Sequence, residues 1–275
     1  MSRQTGHGPL VVFTSLAVAG AGLIVAAACV EIANHHAFLP AIIAGVLLQA
    51  LGLAVSLGHL GQKRRAALAV RGAGRSALSN EVLMAPQALA WGALVVGMTA
   101  WGRPSSTVTI IAGFVNAAFL VSIGLVYRLR GQETWRGASV LTPLTGGCAF
   151  GAIANQALSV TGGALNTVLL LVAVDAVVFG RRWREVAAIR IPAARLADSG
   201  MPHRGRLLGA RFFLLDVLPF LLVFAWPTPI AAAVAAAGLV VDRIAFYALA
   251  LQRTTEHEIA AVEEVLASVR SPHES

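Results

Sequence analysis

Two stretches of this chain carry no charge at all. Gly137 to Val174 runs for 38 residues without Asp, Glu, Lys or Arg, and Val217 to Val241 runs for 25. A helix needs roughly 20 apolar residues to cross a bilayer, so each stretch is long enough for one or two crossings. The rest of the chain follows the same rule. Charged residues make up 12% of it and hydrophobic ones 57%, with mean hydropathy +0.75. A soluble domain carries about 25% charged residues, so most of this surface faces something other than water. In lipid every backbone group must be bonded internally, which leaves helices or a closed barrel. Barrel strands read as short segments of alternating polarity, and none is present. The expected fold is therefore all-α: a polytopic membrane bundle of about eight transmembrane helices.

The spans are expected at about 10–30, 41–60, 82–101, 107–127, 138–160, 164–180, 207–225 and 230–251. Thr161-Gly162-Gly163 is a natural break that divides the long apolar run. Trp226-Pro227-Thr228-Pro229 forces a turn between the last two spans, because proline lacks a donor and ends helices. The first apolar stretch is longer than the apolar region of a typical cleavable signal, so it reads as a span. Residues 1–252 thus form an eight-helix membrane domain, and 253–275 a tail.

Charge sets the expected orientation. Of 21 Lys and Arg, the loop 61–81 holds five, the loop 128–136 three and the loop 181–206 seven, with Arg3, Arg253 and Arg270 on the same side. Arg103 stands alone on the other. The positive-inside rule places both termini and the basic loops in the cytoplasm. The net charge of +8 needs no nucleic acid to explain it, although the same loops suit an acidic protein partner. Cys29 and Cys148 both fall inside spans and read as small core residues.

Ionisable groups at membrane depth are costly and usually functional. Here they are His59, Glu81, Asp175, Arg211, Asp216, Asp242 and Arg243. Glu81 follows Ser79-Asn80, a good capping pair, and an acid in a helix's first turn suits its dipole. The capping role and a functional one both stand open at this point. Asp242 and Arg243 are adjacent, and neighbours on a helix do not face each other, so they are expected to find separate partners such as Arg211 or Asp216. His59 is the one histidine in any span; the other six lie in loops or tails. One histidine does not supply a pair of haem ligands, and two cysteines do not hold an iron–sulfur cluster. No nucleotide-binding motif is present. The expectation is a chain without haem or metal of its own.

Ser56-Leu57-Gly58-His59-Leu60-Gly61, followed by Arg75-Ser76-Ala77-Leu78-Ser79-Asn80-Glu81, resembles the membrane anchor subunit of dimethyl sulfoxide reductase-type molybdoenzymes. In that family such elements bracket the loop between the second and third helices. Gly8-Pro9-Leu10 with Phe13-Thr14 resembles its opening, Val126-Tyr127, Trp135 and Thr142-Pro143 its fourth-to-fifth helix junction, and Arg211 and Arg243 with Phe246-Tyr247 its last two helices. The likeness covers nearly the whole chain. It implies a multi-pass protein of the bacterial inner membrane, bound to an iron–sulfur electron-transfer subunit and a molybdopterin catalytic subunit. It implies menaquinol as the bound quinone substrate, oxidised without haem near the partner's closest cluster. His59 and Glu81 are the site residues so implied, with Arg75 and Ser79 in the same elements as further quinol-site candidates. Familiar members carry an acid a few residues before the arginine of the eighth helix, where this chain has Leu239–Val241. The acidic tail also departs from the family pattern.

The chemistry agrees independently. Quinol oxidation releases two electrons and two protons, and a histidine at membrane depth is the natural base. A carboxylate nearby can pass the proton to water. The same family includes the reverse flow, a quinone-reducing anchor of a sulfite-oxidising type of enzyme. A different class, a small transporter, would use polar residues such as Asn116, Asn155, Gln156 and Asn166 to line a path, although no inverted repeat with broken helices is present. In the tail, Ile259, Val262, Leu266 and Val269 recur at helical spacing beside Glu256, Glu258, Glu263 and Glu264. That pattern reads either as a solvated extension of the last helix or as a helix packed on basic loops or on a partner.

Overall fold

A computed structural model describes residues 8–34, 39–59, 76–126, 137–158, 165–189, 203–225 and 229–249. The described residues form eight helices and no strand: α1 Gly8–Asn34, α2 Leu39–His59, α3 Ala77–Ala100, α4 Ser106–Val126, α5 Thr142–Leu158, α6 Leu165–Ala188, α7 Arg204–Ala225 and α8 Pro229–Ala248. Six of them, all but α5 and α6, are long and apolar enough to cross a membrane. The protein is a polytopic helical membrane protein. The tail 253–275, its apolar stripe and the Thr161-Gly162-Gly163 break lie outside the described residues.

The order of packing follows the size of the side chains. No hydrophobic force separates a leucine from a lipid tail, so helices in a membrane associate where small residues let backbones approach. α1 carries ten Ala and Gly among its 27 residues and is deeply enclosed: Val18, Ala21, Ala26 and Ala27 are fully buried. It packs on α2, α4, α5 and α8. α2 turns its large residues Leu47, Leu51 and Leu57 outward, where lipid takes the place of protein. The eight helices divide into two fours with a similar contact pattern. α1 rests on α2 and α4, and α5 rests on α6 and α8, while α3 and α7 each pack on the last helix of their own four.

The two halves meet where α1 crosses α5. A Cβ placed on Gly22 would run into the backbone of Gly147, and one on Gly151 would run into the backbone of Gly22. Gly147-x-x-x-Gly151 is the small-residue spacing that allows this approach. Asn155 fastens the same seam, donating from Nδ2 to the Leu23 carbonyl at 3.3 Å and to the Gly151 carbonyl at 2.8 Å. Gly22→Ala is therefore expected to cost about 1–3 kcal/mol by overpacking. A Cβ on Gly97 would meet nothing within 4 Å, so Gly97→Ala should be neutral or stabilising by up to about 1 kcal/mol. Thermal unfolding of the two variants in detergent, followed by tryptophan fluorescence, checks the pair. Equal melting would contradict the seam.

Candidate functional site

The resemblance directs attention to the end of the bundle where α2 stops and α3 starts. α2 ends on His59, whose side chain lies outside the described set, as do Arg75 and the rest of 60–75. α3 begins earlier than expected. Ser76 is its N-cap, and its Oγ accepts from the Ser79 amide at 3.1 Å while the two hydroxyls lie 2.7 Å apart. A side-chain acceptor at the cap satisfies one of the orphan amides of the first turn, so Ser76 and Ser79 are helix-start residues. This removes the capping role from Glu81. Five residues past the cap, it stands in the second turn and outside the reach of the free amides. It is 7% exposed and heads the packed stripe Glu81, Ala85, Ala88, Gly92 and Val95 of α3. No hydrogen bond or ion pair of Glu81 is present among the described residues. α2 and α3 pack on each other and run in opposite directions, so His59 and Glu81 belong to one end of the bundle.

A second constellation lies in the other half and contains more charge. Arg182, Arg211, Arg243, Asp175, Asp216 and Asp242 are all at most 3% exposed. Arg211 is its hub. Its Nη2 donates to Asp175 Oδ2 at 2.6 Å, its Nη1 to Asp216 Oδ2 at 2.5 Å and its Nε to Asp242 Oδ1 at 3.3 Å. Asp242 is the counter-hub: Oδ1 also accepts from Arg182 Nη1 at 2.9 Å, and Oδ2 accepts from Arg243 Nε at 3.0 Å and from Arg243 Nη2. Thr145 Oγ1 on α5 donates to Asp175 Oδ1 at 2.6 Å. Aromatic faces cover the cations. The Arg211 guanidinium lies 4.3 Å from the Phe179 ring centre, and those of Arg182 and Arg243 lie 5.7 and 5.2 Å from Phe246. A quadrupole of that sign favours a desolvated guanidinium.

The helix geometry that permits this is local. Arg211 and Asp216 are five residues apart, which on an α-helix of 3.6 residues per turn puts them about 140° apart. Between them α7 widens into a π-helical turn, Phe213–Val217, where the Leu218 amide bonds back to the Phe213 carbonyl. Bonds from i to i+5 bring residues five apart toward one face, and such turns cluster at functional sites. Gly146 on α5 leaves the room, since a Cβ there would sit 3.2 Å from Arg211 Nη2.

Two expectations need correction. Asp242 and Arg243 do bond each other, because the long arginine side chain folds back along α8 over Phe246; Asp242 nonetheless also meets Arg211, as anticipated. Arg182 counted as a loop charge, yet α6 continues to Ala188 and buries it. Its signal was present in the spacing: Arg182 is seven residues after Asp175, two turns along one face, with Phe179 between them. Of the polar residues proposed to line a transport path, Asn116 and Asn155 are bonded within separate helix contacts. Asn116 donates to the Ala112 and Ala88 carbonyls at 2.9 and 3.3 Å and accepts from Gln49 at 2.6 Å. Asn155 holds the α1–α5 seam, and Asn166 is exposed. The first two act as glue between helices.

Because successive helices alternate in direction, the ion network and the His59–Glu81 end lie toward the same side of the bundle. His59 closes α2, Glu81 opens α3, and the network occupies the later part of α6 and α8 and the earlier part of α7. This is also the side of the basic loops. No protein-family model matches this chain, and no curated protein matches it.

Proposed function

We propose that this protein is the membrane anchor and quinol-oxidising subunit of a molybdopterin oxidoreductase complex, passing electrons from menaquinol to an iron–sulfur subunit without haem. The observation that supports the reading most is a juxtaposition: the two elements of the resemblance close α2 and open α3, so His59 and a buried carboxylate, Glu81, with no hydrogen bond among the described residues, share one end of two packed helices. A base and an acid in the wall of an apolar site are what two-proton quinol oxidation requires. Arg75 precedes the cap of α3, and Ser76 and Ser79 fix the start of that helix. The cluster-bearing subunit docks on the basic side, in the cytoplasm by the positive-inside rule, which places its nearest cluster at the same end as the quinol. The protein then sits in the bacterial inner membrane with both termini inside. The same geometry serves a quinone-reducing anchor equally, and the potentials of the partners decide the direction.

The test is to tag the chain, extract it from its native membrane in mild detergent and measure menaquinol oxidation by whatever is retained. The reading expects an iron–sulfur and a molybdopterin subunit to accompany it. In that complex Glu81→Gln should slow menaquinol oxidation by about 100-fold, the lower end of the range for a positioned acid or base, with dye-driven turnover of the attached subunits unchanged. Gln preserves the size and helix preference of the residue, and Ser76 provides the cap, so normal turnover in Glu81→Gln would remove Glu81 from the site. A chain that is extracted alone and never oxidises menaquinol would remove the whole reading.

A further inference from the structure

The ion network of α6, α7 and α8 balances in sum but not in detail. Arg182 and Arg243 both pair with Asp242, and Arg211 reaches Asp242 as well. Asp175 and Asp216 are left to share the single guanidinium of Arg211. Asp175 Oδ2 lies 2.6 Å from its Nη2 and Asp216 Oδ2 2.5 Å from its Nη1, the two nitrogens of one guanidinium end. Two carboxylates crowded on one guanidinium are both acceptors and repel, and a proton held by one of them relieves that repulsion. One atom records the mismatch directly: Asp216 Oδ1 is buried and has no hydrogen-bond partner among the described residues, in a residue that is 3% exposed. Every other carboxylate oxygen of the three aspartates is bonded: Asp175 to Thr145 and Arg211, Asp216 Oδ2 to Arg211, Asp242 to three arginines.

We propose that Asp175 and Asp216 form a carboxyl pair that holds one exchangeable proton at membrane depth. The proton bridges the two side chains, giving Asp216 Oδ1 the partner it lacks. Its release leaves both carboxylates ionised on Arg211 and brings the six-residue network to neutrality, so the network alternates between one positive charge and none. The groups that face the pair are Thr145, Gly146 and, at longer range, Cys148 on α5, Arg182 on α6, Arg211 on α7, and Asp242 and Arg243 on α8. Three of these are arginines that stay protonated at all accessible pH, and Asp242 accepts from all three. The exchangeable position is therefore in the Asp175–Asp216 pair. The π-helical turn is what places Asp216 there, and it sits in the half of the bundle that does not carry His59 and Glu81. The proposal is independent of the quinol reading, and it uses neither quinol nor partner subunits.

The test uses the full chain in detergent, grown with aspartate labelled with carbon-13 at the side-chain carboxyl. The sequence holds four aspartates, and Asp198 is the one outside the network, so the label is read in an Asp198→Asn background. Isotope-edited infrared spectra are then followed over pH. The expected result is a protonated-carboxyl band worth about one of the three remaining aspartates at neutral pH, exchanging in heavy water and lost on going alkaline. Asp216→Glu should move that intensity out of the labelled band, while Asp216→Asn should abolish it. If all three labelled aspartates are ionised throughout the neutral and mildly acid range, the proposal fails. That spectrum of the otherwise native chain decides the matter even where an Asp216 variant does not fold.

Discussion

His59→Ala is expected to abolish menaquinol oxidation by the assembled complex while leaving dye-driven turnover of its catalytic subunit intact. The expectation rests on the proposed function and on the position of His59 as the last residue of α2. A positioned base contributes about 10²- to 10⁴-fold, which at the upper end is below detection for a quinol assay. Nothing else in the spans can replace it: His59 is the only histidine there, and Glu81 remains as a carboxylate without its imidazole partner. Its place at the end of the bundle, outside the seam of α1 and α5, means that loss of its side chain should leave assembly and melting close to those of the native protein. A complex of normal composition and stability that does not oxidise menaquinol is the expected outcome. Normal menaquinol turnover in an assembled His59→Ala complex would show that the base lies elsewhere.

What the sequence could reveal differed sharply between the fold and the site. Eight helices were legible because a bilayer imposes one length and one polarity on every crossing, and charge-free runs such as 137–174 record that constraint directly. The boundaries shifted where local chemistry overrode hydropathy. Ser76 caps α3 several residues ahead of the first strongly apolar run, and α6 runs eight residues past Gly180. The second shift hid Arg182, because a charge flanked by Arg181 and Arg184 reads as part of a basic loop. Arg181 is on the surface, with 71% of its side chain exposed, and pairs with Glu185 at 3.0 Å; Arg182 points the other way into the bundle. The ion network as a whole was only half visible. Each of its members but Arg182 stood out as a costly charge, but which carboxylate meets which guanidinium depends on how three helices are rotated. That rotation depends on a π-helical turn that no periodicity announces.

Asp242→Ala is expected to be the most destabilising single substitution in the bundle. Asp242 accepts from Arg182, Arg211 and Arg243, and it is the only carboxylate that bonds Arg182 or Arg243 among the described residues. Removing it leaves two guanidinium groups, each 1% exposed, without an anion in a medium that solvates neither. Breaking one buried ion pair costs about 3–5 kcal/mol, because the stranded charge keeps its desolvation penalty. Exposed pairs behave differently: Arg181→Gln, which breaks the surface pair with Glu185, should cost no more than about 0.5 kcal/mol. The comparison separates burial from mere pairing. It also predicts a rescue. If the loss comes from unpaired charge and not from a missing contact, then Asp242→Leu combined with Arg182→Met and Arg243→Met should recover much of the stability, since well-packed apolar groups often replace a buried ion cluster without loss. Arg211 keeps Asp175 and Asp216 in that variant, so the remainder of the network retains its own ion pairs. Thermal unfolding of the four proteins in one detergent, with retention on size exclusion as the check on assembly, measures all of this. A native melting curve for Asp242→Ala would mean that the three arginines find other partners or water. The network would then be a set of weak, solvated contacts and not the charged hub of α6, α7 and α8.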